Sequence, residues 1–337
     1  MKAVVVKQPG GLENLQVIDQ DKPQQPGRGE IQVDIKASSL NFHDLSVALG
    51  RIKADDGRVL LSDGAGIVTA VGEGVNEFKQ GDAVVSTFFP QWLSGDPIPA
   101  VANFEQTPGD GIDGMAAQTV VCQAEAFTHA PKGWSHEEAA TITTAGLTAW
   151  RALVVDGNLK AGDTVVALGT GGVSIAALQI AKAMGARVII TSSSDEKLAR
   201  AQELGADATI NYKKAPEWGE QVQKLTDGKG AEHIIEVGGP DTLNQSITAA
   251  AVGGHIALIG VLTGIKGDVA TAALMAKHIR LQGLIVGNRQ QQQDYIRALE
   301  QTDIRPVIDK TYAFEKLAEA FDYQQNGKHF GKVCVRW

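Results

Sequence analysis

A chain of 337 residues with 43% hydrophobic and 21% charged residues has the composition of a folded protein, and it is longer than one core usually encloses. A formal net charge of −8 with no Lys/Arg-rich run excludes a nucleic-acid backbone as partner. No apolar run is long enough for a membrane span, MKAVVVK is too short for a secretory leader, and Cys122 and Cys334 are too few for a disulfide framework, so a cytoplasmic location is expected.

From residue 1 to about 125, the segments KAVVV, EIQVDIKA, GAGIVTAVG, GDAVVST and TVVCQ are short and broken by Gly and Pro, which predicts an all-β barrel or sandwich. ASSLNFHDLSVALG, residues 37–50, joins an alternating strand to a helical segment and sets Asn41, His43 and Asp44 at the junction. Residues 88–111, FFPQWLSGDPIPAVANFEQTPGDG, form a connection long enough to be a lid, a binding loop or a spacer. Its Phe88, Phe89, Trp92 and Phe104 form either an apolar wall for a substrate or ordinary packing within the loop.

A helix starts after Ser135, where Glu138 completes a capping box. From residue 163 the texture changes to buried strands alternating with helices, from DTVVALG through ARVIITS, ATINY, AEHIIEVGG and HIALIG to HIRLQGLIVG. That alternation predicts right-handed crossovers and a doubly wound parallel sheet, so the fold class is α/β. A polar helix around RQQQQDYIRALEQ follows, and GKVCVRW alternates again, so the chain is expected to return to its first domain. The expected domains are 1–125 with 289–337, and 126–288.

DTVVALGTGGVS places Gly169, Thr170, Gly171, Gly172 and Val173 between a strand and a helix, with Ser174 where the fingerprint has its third glycine. Such a turn lets the backbone approach a pyrophosphate at a helix N-terminus. The next strand ends in Ser192, Ser193 and Ser194, where a carboxylate would hold the ribose 2′-hydroxyl of NAD. These hydroxyls, with Lys197 and Tyr212 as further donors, suit a 2′-phosphate, so NADPH/NADP is expected ahead of NADH.

Taken together, NFHD, SDGAGIVTAVGEGV, EEAATITTAGLTAW, GTGGVS, TSSSDEKL, INYK and HFGKVCV resemble the medium-chain dehydrogenase/reductase superfamily over nearly the whole chain, closest to its zinc-free, quinone-oxidoreductase-like members. The resemblance implies a GroES-like catalytic β-barrel domain from both chain ends, a Rossmann domain between them and an active site in a cleft. Zinc-dependent relatives have a Cys at Asn41, a His–Glu pair at Ser62–Asp63 and a Cys or equivalent at Thr144. Amide and hydroxyl groups are poor zinc ligands, so no metal is expected. Further implications are 2′-phosphate contacts at Lys197 and Tyr212 and an adenosine side lined by Val237 and Gly238. Ile259, Gly260, Val286 and Gly287 would approach the nicotinamide end, Asp44, Thr144, Arg289 and Lys332 are further cofactor positions, and a homodimer would form through an edge strand HIALIGVLT.

His43 aligns with a proton-relaying hydroxyl of the zinc enzymes, and an imidazole, which titrates near pH ~6.5, suits proton donation. A contact to the pocket or ribose and a structural role stay open beside it, and Asn41 and Asp63 are expected to line the catalytic pocket. The leading expectation is an NADPH-dependent oxidoreductase that delivers a hydride, without zinc, to a quinone or α,β-unsaturated carbonyl. A metal-free alcohol/aldehyde oxidoreductase and a nucleotide-binding protein without turnover are the alternatives. The expected ligand is in each case a small molecule.

Overall fold

The structure, a computed structural model, describes residues 1–337. The first stretch gives β1 (Lys2–Val6), β2 (Leu15–Asp19), β3 (Glu30–Ser39), α1 (Phe42–Ala48), β4 (Arg58–Val59), β5 (Ala65–Val71), β6 (Ala83–Ser86), β7 (Thr119–Gln123), β8 (Phe127–His129) and α2 (His136–Ala140). Then come α3 (Leu147–Trp150), β9 (Thr164–Leu168), α4 (Gly172–Ala183), β10 (Arg187–Ser192), α5 (Asp195–Glu203), β11 (Ala208–Asn211) and α6 (Trp218–Leu225). They are followed by β12 (Ala231–Glu236), α7 (Pro240–Ala249), β13 (Ala250–Leu258), α8 (Thr271–Ala276) and β14 (Arg280–Gly283). The chain closes with α9 (Arg289–Leu299), β15 (Ile308–Ala313), α10 (Leu317–Gln325) and β16 (Lys332–Arg336).

Two compact units result, Met1–Leu147 with Val286–Trp337, and Thr148–Ile285. The first boundary expected near residue 125 is thereby corrected to 147. β8 pairs with β6, Val85 opposite Thr128, and Ala139 and Ala140 of α2 pack on Ala65 of β5, so both elements belong to the β-rich unit.

In that unit β3 alternates buried Ile31, Val33 and Ile35 with the more accessible Gln32 and Asp34, the period-2 pattern of a strand with one face on a core. The sheet runs β15-β16-β3-β5-β6-β8, with β7 also on β3, and a smaller sheet runs β2-β1-β4. Phe127, Phe314 and Phe321 fill the same core. Truncating Ile35 to alanine there would cost about 2–5 kcal/mol. The expected return of the chain end is seen in β16, which lies antiparallel to β3 with Cys334 opposite Ser39.

The other unit is a parallel sheet in the order β11-β10-β9-β12-β13-β14. Its strands read as unbroken apolar runs, such as the fully buried Thr164–Leu168, because helices cover both faces of a parallel sheet. The expectation that HIALIGVLT forms a sheet edge is corrected: β13 lies between β12 and β14, and β14 is the edge. No helix is long and apolar enough to cross a membrane.

One row of this sheet is polar. His233 and His255 are register partners, and Arg280 follows on β14. His233 Nε2 lies 3.0 Å from Asp163 Oδ2, and Arg280 Nε donates to His255 Nδ1 at 3.0 Å. Burial of His255, only 4% exposed, followed by the charges of Arg280 and His233, pushes its imidazole down to about 4. The folded state therefore favours the neutral ring, and the unfolded chain binds the extra proton between pH ~6.5 and ~4. The stabilisation is complete above pH ~6.5 and fades as pH falls toward ~4, by about 3 kcal/mol in all. Urea unfolding across this range should show the wild type losing more stability than His255→Gln; parallel pH curves for the two would refute the assignment.

Candidate active site

The turn after β3 is organised by charge. Asn41 precedes α1, and its backbone N–H and side-chain amide both donate to Asp44 Oδ2 at 3.0 Å. Asp44 Oδ1 accepts from the backbone N–H and the hydroxyl of Ser62, each at 2.9 Å. Of the two roles expected for Asp44, an anchor of its own loop or helix start and a cofactor contact, these bonds make it an internal anchor of the helix start. On the neighbouring strand, β16 brings Lys332 to the same turn, where its ammonium donates to Leu40 O at 2.7 Å and to Asn41 Oδ1 at 2.6 Å. The ammonium also lies 3.7 Å from Asp63 Oδ2. Ser39 donates to Asp63 Oδ2 at 2.5 Å and Thr144 donates to Asp63 Oδ1 at 2.6 Å. Thr144 stands where the chain after α2 widens, Gly146 N–H reaching back to Thr141 O.

This arrangement corrects the expectation that Asn41 and Asp63 line a catalytic pocket. Asp63 is 0% exposed and Asn41 is buried, and both serve Lys332. Lys332, expected as a cofactor contact, is itself only 5% exposed, and its protons are directed at protein acceptors. Desolvation pushes the Asp63 carboxyl up to about 6; the Lys332 charge opposes this, Asp44 adds to it, and the hydroxyls of Ser39 and Thr144 oppose it.

The residues do not fit a zinc ion. Asn41, Ser62 and Thr144 offer an amide and two hydroxyls, and the Lys332 ammonium is already bonded to Asn41 and lies beside Asp63. No group of three or more His, Cys, Asp or Glu side chains is arranged to hold a metal.

Consecutive helical positions point about 100° apart, so His43 leaves α1 in a different direction from Asp44. Its ring lies 4.9 Å from that of Phe104 and 5.5 Å, edge-on, from that of Phe88, and Phe89 stacks edge-on with Phe88 at 4.8 Å. Of the two roles open for these aromatics, packing holds for Phe88, Phe89 and Trp92, which are buried, while half-buried Phe104 flanks the imidazole. His43 Nε2 lies 3.2 Å from Asp110 Oδ2. Sequence reasoning missed Asp110; the signal was an acid between two glycines in an aromatic-rich loop. Gly109 has φ +82, and a Cβ there would meet Leu61 N at 2.7 Å, so the loop closes tightly on residues 59–61. The other end of residues 88–111 is held by α9, whose first N–H groups, Arg289 and Gln290, donate to Trp92 O and Leu93 O.

The expected cofactor positions at the chain's second crossover fall in the same unit. Arg289 is engaged by Phe127 O and Glu77, and Gly287 lies against Leu147. Val286 has φ +46, a left-handed conformation that costs a β-branched residue on the order of 1–3 kcal/mol.

In the parallel-sheet unit, Gly169 turns at φ +75 directly after β9, and buried Thr170 leads to Gly171, the N-cap of α4. No side chain caps α4, so the first-turn N–H groups at Gly172 and Val173 remain available to an anion. Ser174, in place of the third glycine, donates its hydroxyl to Leu168 O at 2.6 Å and is buried without disturbing the turn. Beyond β10, Ser192 is buried, Ser193 is half-buried and Ser194 caps α5 through Lys197 N–H. Tyr212 N–H donates to Ser192 O, so the two backbones adjoin, and Tyr212 is 40% exposed. The nearby carboxylate, Asp195, is held by Asn211 and Lys214. Val237 and Gly238 follow a fully buried Glu236 that sequence reasoning also missed. Glu236 accepts from Gly238 N–H, Gly239 N–H, Thr242 and Ser246, while Ile259 and Gly260 donate to its carbonyl.

Known proteins resemble this chain in sequence and fold. Residues 27–132 match the alcohol dehydrogenase GroES-like domain, and residues 172–302 match the zinc-binding dehydrogenase family. The second match contains none of positions 41, 62 and 144. The chain is 40% identical to the zinc-type alcohol dehydrogenase-like protein C1773.06c of Schizosaccharomyces pombe, over 100% of this chain and 99% of that one. A crystal structure of an NAD-dependent alcohol dehydrogenase superposes with a TM-score of 0.89 at 35% identity, covering 100% of both chains. The mycobacterial protein Rv1454c, solved with NADPH, gives a TM-score of 0.84 at 27% identity over 100% of both chains.

The Lys332 cluster makes a stability prediction. Lys332→Met or Asp63→Asn alone leaves a buried group without its partner and should cost about 3–5 kcal/mol in urea unfolding. The double variant should cost clearly less than the sum. Additive losses would mean that the ammonium and the carboxylate do not interact.

Proposed function

Because the chain belongs to the medium-chain dehydrogenase/reductase superfamily, as an oxidoreductase of the alcohol dehydrogenase-like family, we propose that it is an NADPH-dependent reductase. It reduces a quinone or an α,β-unsaturated carbonyl without zinc. The observation that carries this reading is the Lys332 ammonium, bonded to Asn41 and facing Asp63 among the positions that zinc-dependent relatives give to the metal.

NADPH, when bound, supplies the hydride. The turn Gly169–Val173 receives the pyrophosphate, and Ser192, Ser193, Lys197 and Tyr212 receive the 2′-phosphate. His43 and Phe104 present the acceptor with a proton donor and a flat apolar face. As the acceptor takes up the hydride at its electron-poor carbon, its oxygen gains the proton of His43 Nδ1, and solvent returns a proton to the ring. A Lewis acid stabilises developing oxyanion charge by several kcal/mol. Lacking one, the site favours an acceptor that spreads its own charge over a conjugated system.

A second reading, an NAD-dependent alcohol dehydrogenase, has the 35% identical relative in its favour. Chelator-treated protein should oxidise NADPH with an enone or quinone at least tenfold faster than with the matching saturated aldehyde, and His43→Ala should slow the reaction about 10²-fold or more. Equal turnover of the aldehyde, or activity that appears only on adding zinc, would defeat the proposal. For the cofactor, Lys197→Ala should weaken NADPH binding about tenfold or more and leave NADH nearly unchanged, as expected for a lost charge-assisted bond. Equal weakening of both nucleotides would remove Lys197 from the 2′-phosphate site.

A further inference from the structure

Asp110 and His43 meet from elements far apart in sequence. His43 comes from the first turn of α1, and Asp110 from the tight loop that Gly109 folds against Leu61. Both side chains are largely enclosed, with side-chain exposures of 15% and 9%. Their facing atoms, His43 Nε2 and Asp110 Oδ2, are buried 3.2 Å apart, close enough for an ion pair but not aligned as a hydrogen bond, and neither bonds to any other group of the protein. Leaving either alone would strand a buried polar group, which makes the pairing selective for this rotamer of the ring. Phe104 and Phe88 pack against the imidazole and oppose its rotation.

The pairing has a chemical consequence. With Nε2 enclosed beside Asp110, the ring nitrogen left for outside chemistry is Nδ1, to which no group of the protein is bonded. We infer that Asp110 is the positioning residue of the proton donor: it holds His43 by Nε2 so that Nδ1 faces the acceptor oxygen. The inference rests on His43 being that donor. In the step itself, the doubly protonated ring facing the Asp110 carboxylate loses its Nδ1–H, the acceptor's O–H bond forms with the electron pair of the oxyanion or enolate, and a neutral ring is left with its remaining proton on Nε2 beside Asp110. An orienting carboxylate behind an imidazole is a general device of acid–base catalysis. Here the acting and anchored nitrogens are Nδ1 and Nε2.

The test is a double-mutant cycle on kcat and KM for the conjugated acceptor, with NADPH affinity measured separately by fluorescence. Asp110→Asn should lower kcat by about 10–10²-fold while NADPH affinity stays within about twofold, and Asp110→Glu should recover part of the loss. In a His43→Ala background, Asp110→Asn should change kcat by less than about twofold, because the residue it positions is gone. If the Asn variant melts early, the Glu variant carries the comparison. A slow His43→Ala beside an unimpaired Asp110→Asn overturns the inference and leaves His43 as donor. An equal loss from Asp110→Asn in both backgrounds also overturns it, since the carboxylate would then only hold the loop. Wild-type kcat in His43→Ala would remove the donor and its positioning residue together.

Discussion

The β-rich unit depends on one buried ammonium. Taking Lys332 Nζ out of water costs several kcal/mol unless its protons find acceptors, and the fold meets that demand with a carbonyl, an amide and a carboxylate. The acceptors come from Leu40 just after β3, from the N-cap of α1 and from the segment before β5, while the lysine comes from β16. The charge therefore joins the two ends of the chain at one turn. It also fixes the rotation of α1: Asn41 bound to Lys332 and Asp44 bound to Ser62 leave His43 no direction but toward the aromatic loop.

That loop is a built wall. Its Trp92 and Leu93 carbonyls take the orphan N–H groups of α9, Gly95 O accepts from Asn288, and Gly109 lies against Leu61. Both ends are anchored by backbone bonds, and Phe88 and Trp92 are buried between them. The cost of ordering a long connection is met by apolar burial and by satisfied helix-end donors. Asp110 can then hold a defined position that a free loop would not give it.

Much of this was legible in the sequence wherever a local pattern dictates the outcome. Alternation marked β3, unbroken apolar runs marked the parallel strands, and the glycine turn marked the start of α4, even with Ser174 in the third place. Relations between distant residues were not legible. Nothing local to GKVCVRW says that Lys332 will meet Asn41, 291 positions away, and nothing local to TPGDG says that Asp110 will meet His43. The domain boundary was misplaced because Phe127–His129 reads as the end of a strand-rich region although it pairs with β6. HIALIG was expected at an edge because the short, polar β14 strand RLQG, which covers it, carries a weak strand signal. Glu236 was passed over because a carboxylate at the end of a parallel strand resembles surface charge until its four donors are seen.

The two charged clusters of the unit divide their labour. Lys332 is a cation whose acceptors all lie within the protein, so it can organise the turn and cannot polarise a substrate carbonyl. Whatever positive hydrogen the site offers to a developing oxyanion must come from a group with an open donor, and on the proposed reading that group is His43 Nδ1. One imidazole proton stabilises such charge less than a divalent metal does. On the proposed reading, the deficit falls on the acceptor: a conjugated carbonyl or quinone carries part of its charge on its own carbon framework, and a simple aldehyde cannot. On that reading, Asn41, Ser62 and Thr144 standing in place of thiolate and imidazole, with Lys332 bonded to Asn41, would tie the choice of acceptor to the same residues that hold the turn in place.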